Sequence, residues 1–463
     1  MVRRAVIAVA GITLFALLGP VTASGAGTST PGPAVSVPGA VIPVRPAAVL
    51  PALDDAAPTP ATGLGGRLDG VLAATALGPS VAAEVIDVAS GTSLFGRAPT
   101  ATAVPASTVK ILTAAALLSV RSGDERLVTR VVQGAAGEIV LVGGGDVLVM
   151  PGRGNPSAVI GRAGLDDLAA ATATALRAQR LTSVALGLDD TLFSGPTVSP
   201  LWQPGDTTGG FVAPVAALEL DSGNAAPGRR AQAGHPFPRV SDPGLVAAQA
   251  FAVRLRAHGI TVAAAPRRTD APKDGAVLAQ VESAPLARLV EQALEDSDNT
   301  VAEALARLVA ISGNREPTFA GAGQAVLDRL ALLGIDVSGH AVAGGSGMGR
   351  GYAVSPHTLV SVLALAASPD HPELRPVLSG LPLAGVTGTL ADRFDTAAGR
   401  PAVGLVRAKT GTLTGVSSLA GIVVDADGRQ LAFAVLADTV TATDPARAAL
   451  DQVAATLARC GCS

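Results

Sequence analysis

The chain has 463 residues, 48% of them hydrophobic, enough for two or three domains around a large core. Its formal net charge of −3 argues against nucleic acid or another polyanion as a partner. Of its 34 Lys and Arg residues only Lys110, Lys273 and Lys409 are lysines, so an amine is kept at few positions.

In chain order, Arg3 and Arg4 form a short basic region, Ala5 to Leu18 an apolar core, and Val21-Thr22-Ala23 a small-residue cleavage site. This is the pattern of an export signal over residues 1–23, with an uncleaved anchor as the alternative. The apolar core is too short for an ordinary membrane span. No cysteine follows it, which disfavours a lipid anchor and leaves the protein peripheral to the cell envelope at most. Residues 24–62 are rich in Pro, Ala, Gly, Ser and Thr without a period, the composition of a linker. The expected location is therefore the outer side of the cytoplasmic membrane.

Beyond Leu64, Ser80 to Val88 reads as a strand, and Ile111 to Leu118 is apolar all round, as in a helix buried at the centre of a domain. Strand-like alternation covers Leu127 to Val132 and Glu138 to Val142, broken by Gly143-Gly144-Gly145-Asp146. Helices are predicted over Leu165–Gln179 and Gly244–His258, and strands over Ser183–Leu188 and Ile260–Ala264. Between them lies a Pro- and Gly-rich segment, Phe193 to Arg230. Ser283 is placed to cap, and Pro285 to open, a helix running to Leu294. A further helix is predicted over Val301–Ile311 and a strand over Val403–Thr410. Val416–Val424 and Gln430–Ala437 form a hairpin across Asp425 to Gly428. Asp444-Pro445 caps a last helix. The pattern is α+β, a sheet packed on helices. The five histidines show no ligand spacing, so no metal or cofactor is implied. Cys460 and Cys462 can pair with each other but would close almost no loop.

Three short motifs carry chemistry. Ser107 and Lys110, in Pro105-Ala-Ser-Thr-Val-Lys110, are three apart and share one face if helical. A serine hydroxyl becomes nucleophilic when a base takes its proton, and a desolvated lysine serves as that base. Arginine cannot, because it holds its proton in proteins. The second motif is Ser297-Asp298-Asn299 between two helices; the third is Lys409-Thr410-Gly411-Thr412 on a strand. Taken singly, each is equally a cap, a helix break or a turn.

In this order and context the three motifs resemble the signature of the active-site-serine penicillin-recognising enzymes. From about Leu64 to Leu457 the chain resembles the penicillin-binding D-alanyl-D-alanine carboxypeptidase/endopeptidase family, whose transpeptidase/β-lactamase-like domain carries a large insert between the first and second motifs. Gly143 to Asp146, Leu188 to Phe193, Leu381 to Gly385, Gly388-Thr389-Leu390 and Arg407 to Gly411 extend the likeness. The resemblance implies a discontinuous catalytic domain over 63–125 and 281–463, with one or two β-rich inserted domains over 126–280. It implies Ser107 as acyl-accepting nucleophile, Lys110 as general base and Ser297 as proton relay to the leaving amine. Asn299 would contact the substrate peptide, and Lys409, Thr410, Gly411 and Thr412 would bind its carboxylate end. The N–H groups of Ser107 and Thr412 would form the oxyanion hole, and Lys409 would depress the pKa of Lys110. Asp146 and Arg350 are expected beside the peptide side chain, although Gly344 and Gly349 stand where the family usually has Asp or Asn and Ser.

The implied partners are peptidoglycan peptides, with β-lactams as covalent inhibitors because their strained amide mimics acyl-D-Ala-D-Ala. A β-lactamase is the competing enzyme; it must also activate a water, and no added carboxylate motif argues for it. A non-catalytic envelope binding protein of the same fold would have lost a motif residue, and none is missing.

Overall fold

In chain order the helix α1 (Leu64–Leu72) leads to strands β1 (Val81–Asp87) and β2 (Ser93–Arg97), and then to α2 (Lys110–Leu118). Next come β3 (Arg126–Gln133), β4 (Glu138–Val142), β5 (Asp146–Val149), α3 (Leu165–Ala178), β6 (Ser183–Asp189) and β7 (Leu218–Leu220). α4 (Pro243–Ala257), β8 (Thr261–Val262), β9 (Arg267–Arg268) and β10 (Val277–Pro285) complete the stretch before the second motif. The helices α5 (Leu286–Glu295), α6 (Asn299–Ser312), α7 (Phe319–Leu332), α8 (Pro356–Ala367) and α9 (Arg375–Ser379) follow. The chain ends with β11 (Val406–Leu413), β12 (Val416–Val424), β13 (Gln430–Ala437) and α10 (Thr443–Ala458). This computed structural model describes residues 63–229 and 237–461. The export signal and linker expected over 1–62 lie outside the described residues, as does Cys462; Cys460 is buried and disulfide-bonded.

The first and last strands build one antiparallel sheet in the order β11-β12-β13-β1-β2. Successive residues of a strand point to opposite faces, and both faces of this sheet are covered. Along β13, Leu431, Phe433 and Val435 pack with Leu68 of α1 and Leu450 and Val453 of α10. Ala432, Ala434 and Leu436 pack instead with Leu112 of α2 and Leu359 and Leu363 of α8. This is why β13 reads as an unbroken apolar run from Leu431 to Ala437, and why α2 has no polar face: every residue from Lys110 to Leu118 is buried.

Residues between the first two motifs build a second, mixed sheet, β10-β3-β4-β6-β8, with β9 also on β6. Its parallel β4–β6 pair needs a crossover, which α3 supplies. α3 and α4 cover it through Leu165, Leu168, Phe251 and Leu255. The insert also enters the main core. Leu127, Val147, Leu148, Phe193, Trp202 and Val212 cluster with residues of α2, α6 and α7, and Trp202 meets Phe319 of α7 edge-to-face at 5.2 Å.

Several expected boundaries move. Ser283 does not cap a helix: residues Val277–Pro285 extend the second sheet, and the Ser283 hydroxyl accepts from the N–H of Leu127 (2.9 Å). Pairing with β3 outcompetes the local cap because it satisfies a whole run of backbone groups. β11 begins at Val406 rather than Val403, and α10 is capped by Ala442 without a side-chain bond.

Phe251 is fully buried between α4 and the second sheet. Phe251→Ala is expected to lower unfolding free energy by about 3–5 kcal/mol, read from denaturant unfolding.

Candidate active site

The three motifs converge on one cleft of about 1000 Å³, lined by Ser107, Ser297, Asn299, Arg350, Thr410 and Thr412 among others. Ser107 sits on a single 3₁₀ turn, Ala106–Val109, that runs straight into α2. The turn opens with Ala106 at φ +47°, a strained value for a residue with a Cβ. Two neighbouring backbones hold it there. A Cβ at Gly347 would lie 2.1 Å from the Ala106 carbonyl oxygen, and one at Gly411 would lie 2.6 Å from that of Pro105. Ser418 of β12 donates its hydroxyl to the same Pro105 carbonyl (2.7 Å). Glycine is required at both contacts so that strand β11 and the loop before Tyr352 can press on the turn.

Behind Ser107 lies the amine of Lys110, 1% exposed. Its Nζ is 2.9 Å from Ser107 Oγ, 2.6 Å from Asn299 Oδ1 and 2.7 Å from the Ser346 carbonyl oxygen. A carbonyl and an amide oxygen can only accept. They take the two protons of a neutral amine and leave its lone pair facing the Ser107 hydroxyl. Burial pushes the Lys110 pKa down to about 7, against the opposing attraction of Glu303 and Asp298. Lys409, also fully buried, is pushed well below its ordinary value by burial and then by the Lys110 charge. Desolvation thus replaces the expected depression of Lys110 by Lys409.

Asp298 positions the second motif. Its carboxylate caps α6 by accepting from the N–H of Val301 (3.0 Å) and takes a hydrogen bond from the Ser222 hydroxyl (2.7 Å). Asn299 becomes the first residue of α6, and Ser297 stands in the left-handed region at φ +58°. Asn299 Nδ2 donates to the Phe211 carbonyl (2.9 Å), which turns Oδ1 toward Lys110 and leaves one N–H for the cleft.

The third motif lies on β11, the edge strand of its sheet. Ala408 donates outward to the Pro382 carbonyl, and the two-residue repeat turns the N–H groups of Thr410 and Thr412 to that same open edge. Lys409 Nζ donates to the Thr410 carbonyl (3.0 Å), and the hydroxyls of Thr410 and Thr389 are 2.9 Å apart.

Of the two outlying candidates, Arg350 lines the cleft and donates to the Thr414 carbonyl (2.7 Å). Asp146 does not line it. Gly145 bonds back to Ala217, Asp146 begins β5 against Leu218 of β7, and its carboxylate, 2% exposed, accepts from the Leu148 N–H (2.9 Å). Burial raises its pKa to about 6. The glycine run is a turn into a buried strand, so the assignment of Asp146 to the substrate side chain is corrected. Sequence reasoning missed the carbonyls of Ser346 and Phe211, because a backbone acceptor leaves no mark in residue type.

The model of the D-Ala-D-Ala carboxypeptidase 3 (S13) family matches residues 64–236 and 227–459. The chain belongs to this family. It is 37% identical over 437 residues to the carboxypeptidase DacB of Mycolicibacterium smegmatis, covering 93% of this chain and 90% of that one. It is 38% identical over 428 residues to a carboxypeptidase of Mycobacterium tuberculosis, covering 90% and 88%. The penicillin binding protein 4 of Haemophilus influenzae has the same fold, with a TM-score of 0.68 at 22% identity over 84% of this chain and 98% of that one. That protein has also been solved with a β-lactam bound.

Two outcomes follow from the geometry. Because the base must be the neutral amine, acylation of Ser107 is expected to rise with pH through about 7, the value to which burial brings Lys110. Single-turnover acylation against pH measures this. Gly347→Ala, pushed off the Ala106 carbonyl, should cut acylation while the far-UV circular dichroism stays that of a folded chain.

Proposed function

We propose that the protein is a serine-type D-Ala-D-Ala carboxypeptidase that acts on peptidoglycan stem peptides through an acyl-enzyme on Ser107. The observation that carries this is the Lys110 amine, held by two acceptors with its third direction on the nucleophile. Lys110 takes the Ser107 proton as Oγ attacks the carbonyl of the terminal D-Ala–D-Ala bond. The N–H groups of Ser107 and Thr412 stabilise the oxyanion, each such donor being worth on the order of 10²–10³ in rate. Ser297, on the same cleft, passes the proton to the leaving D-alanine amine, and water then hydrolyses the ester. The leaving carboxylate sits at the open edge of β11, by Thr410 and Thr412 and above Lys409. Its negative charge favours the ammonium form that burial disfavours at Lys409.

The same acyl-enzyme serves for D-alanyl cross-links when the leaving amine belongs to a second stem peptide. Gln203, Asp206 and Phe211, all from the stretch between the first two motifs, stand on the cleft wall and give the insert a hand in that choice. We further propose that the protein acts outside the cytoplasmic membrane, on the strength of its N-terminal pattern; fractionation of cells producing the full chain tests this.

Purified protein mixed with benzylpenicillin should gain one adduct, mapped to Ser107 by peptide mass spectrometry. Release of D-alanine from a stem pentapeptide should fall at least ~10³-fold in Ser107→Ala. A folded wild-type chain without the adduct would refute the proposal. The same assay on a cross-linked dimer separates the two peptide activities.

A further inference from the structure

One turn beyond Asn299, α6 carries Glu303, a carboxylate that is fully buried. Its Oε2 accepts from the N–H of Gly345 (2.9 Å), and its Oε1 from the N–H (3.0 Å) and hydroxyl of Ser346. All three partners donate, an arrangement suited to an ionised carboxylate, which only accepts. From the other side, Thr113 of α2 donates to the Gly345 carbonyl (3.0 Å), and Lys110, one turn earlier on α2, donates to the Ser346 carbonyl. The Gly345–Ser346 peptide is therefore strung between the Glu303 carboxyl group on α6 and the amine on α2. Gly344 makes room for this. At its φ of +148°, a Cβ would fall 2.7 Å from Glu303 Oε2.

We propose that Glu303 is a positioning residue of the acylation step: it fixes the Ser346 carbonyl on Lys110 and balances the ammonium that forms when Lys110 takes the Ser107 proton. A buried carboxylate is costly unless it is used, and glutamine, with one acceptor oxygen, could not serve three donors. The inference rests on Lys110 being the base. Asp298 at the cap of α6 and Lys409 on β11 face the same amine, while Tyr352 beyond the loop and Arg307 on the next turn face Glu303. None of these four bridges the Gly345–Ser346 peptide to Lys110, as Glu303 does.

The test compares benzylpenicillin acylation of wild type, Glu303→Gln and Glu303→Asp against pH. Loss of the charge in Glu303→Gln makes the ammonium less favourable. The acid limb should then move down by about one pH unit or more, and the plateau should fall on the order of tenfold or more. Glu303→Asp keeps the charge but is one methylene short of the loop, so its limb should stay and its plateau fall. An unmoved limb in Glu303→Gln, or a full rate in Glu303→Asp, overturns the proposal; if Glu303→Gln does not fold, Glu303→Asp decides. With three lysines in the chain, ¹³Cε-lysine resonances report the Lys110 titration directly. If wild type were not acylated, Lys110 would lose its assignment as base. The lysine titration of wild type against Glu303→Gln would still show whether Glu303 stabilises the Lys110 ammonium.

Discussion

The site depends on one constraint, that an amine must be dry enough to lose its proton and still be held. Burial alone would leave Lys110 free to point anywhere. Two acceptors from segments 189 and 236 residues away remove that freedom. The nucleophile is already close to the amine in sequence, because Ser107 is three residues before Lys110 on a turn that continues into α2. What must be aligned is everything else. α6 brings Asn299, the loop before Tyr352 brings the Ser346 carbonyl, and β11 presses the turn from the far side.

The stretch between the first two motifs takes part in this alignment. Phe211, within it, supplies the carbonyl that turns Asn299 toward Lys110, and Ser222 bonds to the Asp298 cap that starts α6. Its apolar residues enter the core formed by α2 and α6. Moving this stretch would therefore disturb the amide that holds the Lys110 amine, so the cleft wall and the surroundings of Ser107 are mechanically connected.

Much of the scaffold and most of the chemistry were legible in the sequence, for physical reasons that differ by residue. The β12–β13 hairpin was read to the residue because strands covered on both faces are mostly apolar and a polar turn, Asp425 to Arg429, separates them. That Ser107, Lys110, Ser297, Asn299, Lys409 and Thr410 would come together was legible because the chemistry expected of their side chains restricts residue type. Illegible were the Ser346 and Phe211 carbonyls, which any residue could supply, and the strand role of Ser283, which long-range pairing with β3 decided. Asp146 misled because a glycine run before an acid looks alike whether it opens onto a cleft or dives into a sheet. Glu303 left a faint signal, the one acid inside a largely apolar helical stretch.

The scarcity of lysine takes its full meaning from α6, which also holds a buried arginine. Arg307 donates to the carbonyls of Pro317 (3.0 Å) and Pro196 (3.2 Å), and its guanidinium lies 4.2 Å from the centre of the Phe319 ring. That is a structural post for a permanent cation, held by two carbonyls and an aromatic face, with Nη1 left without a hydrogen-bond partner. Lys110 is as deeply buried, yet its contacts leave one direction open, and that direction ends on Ser107. A guanidinium there would fill the space with donors and could never accept a proton. Arginine therefore serves where a buried charge only has to stay, and lysine is kept where the charge has to come and go.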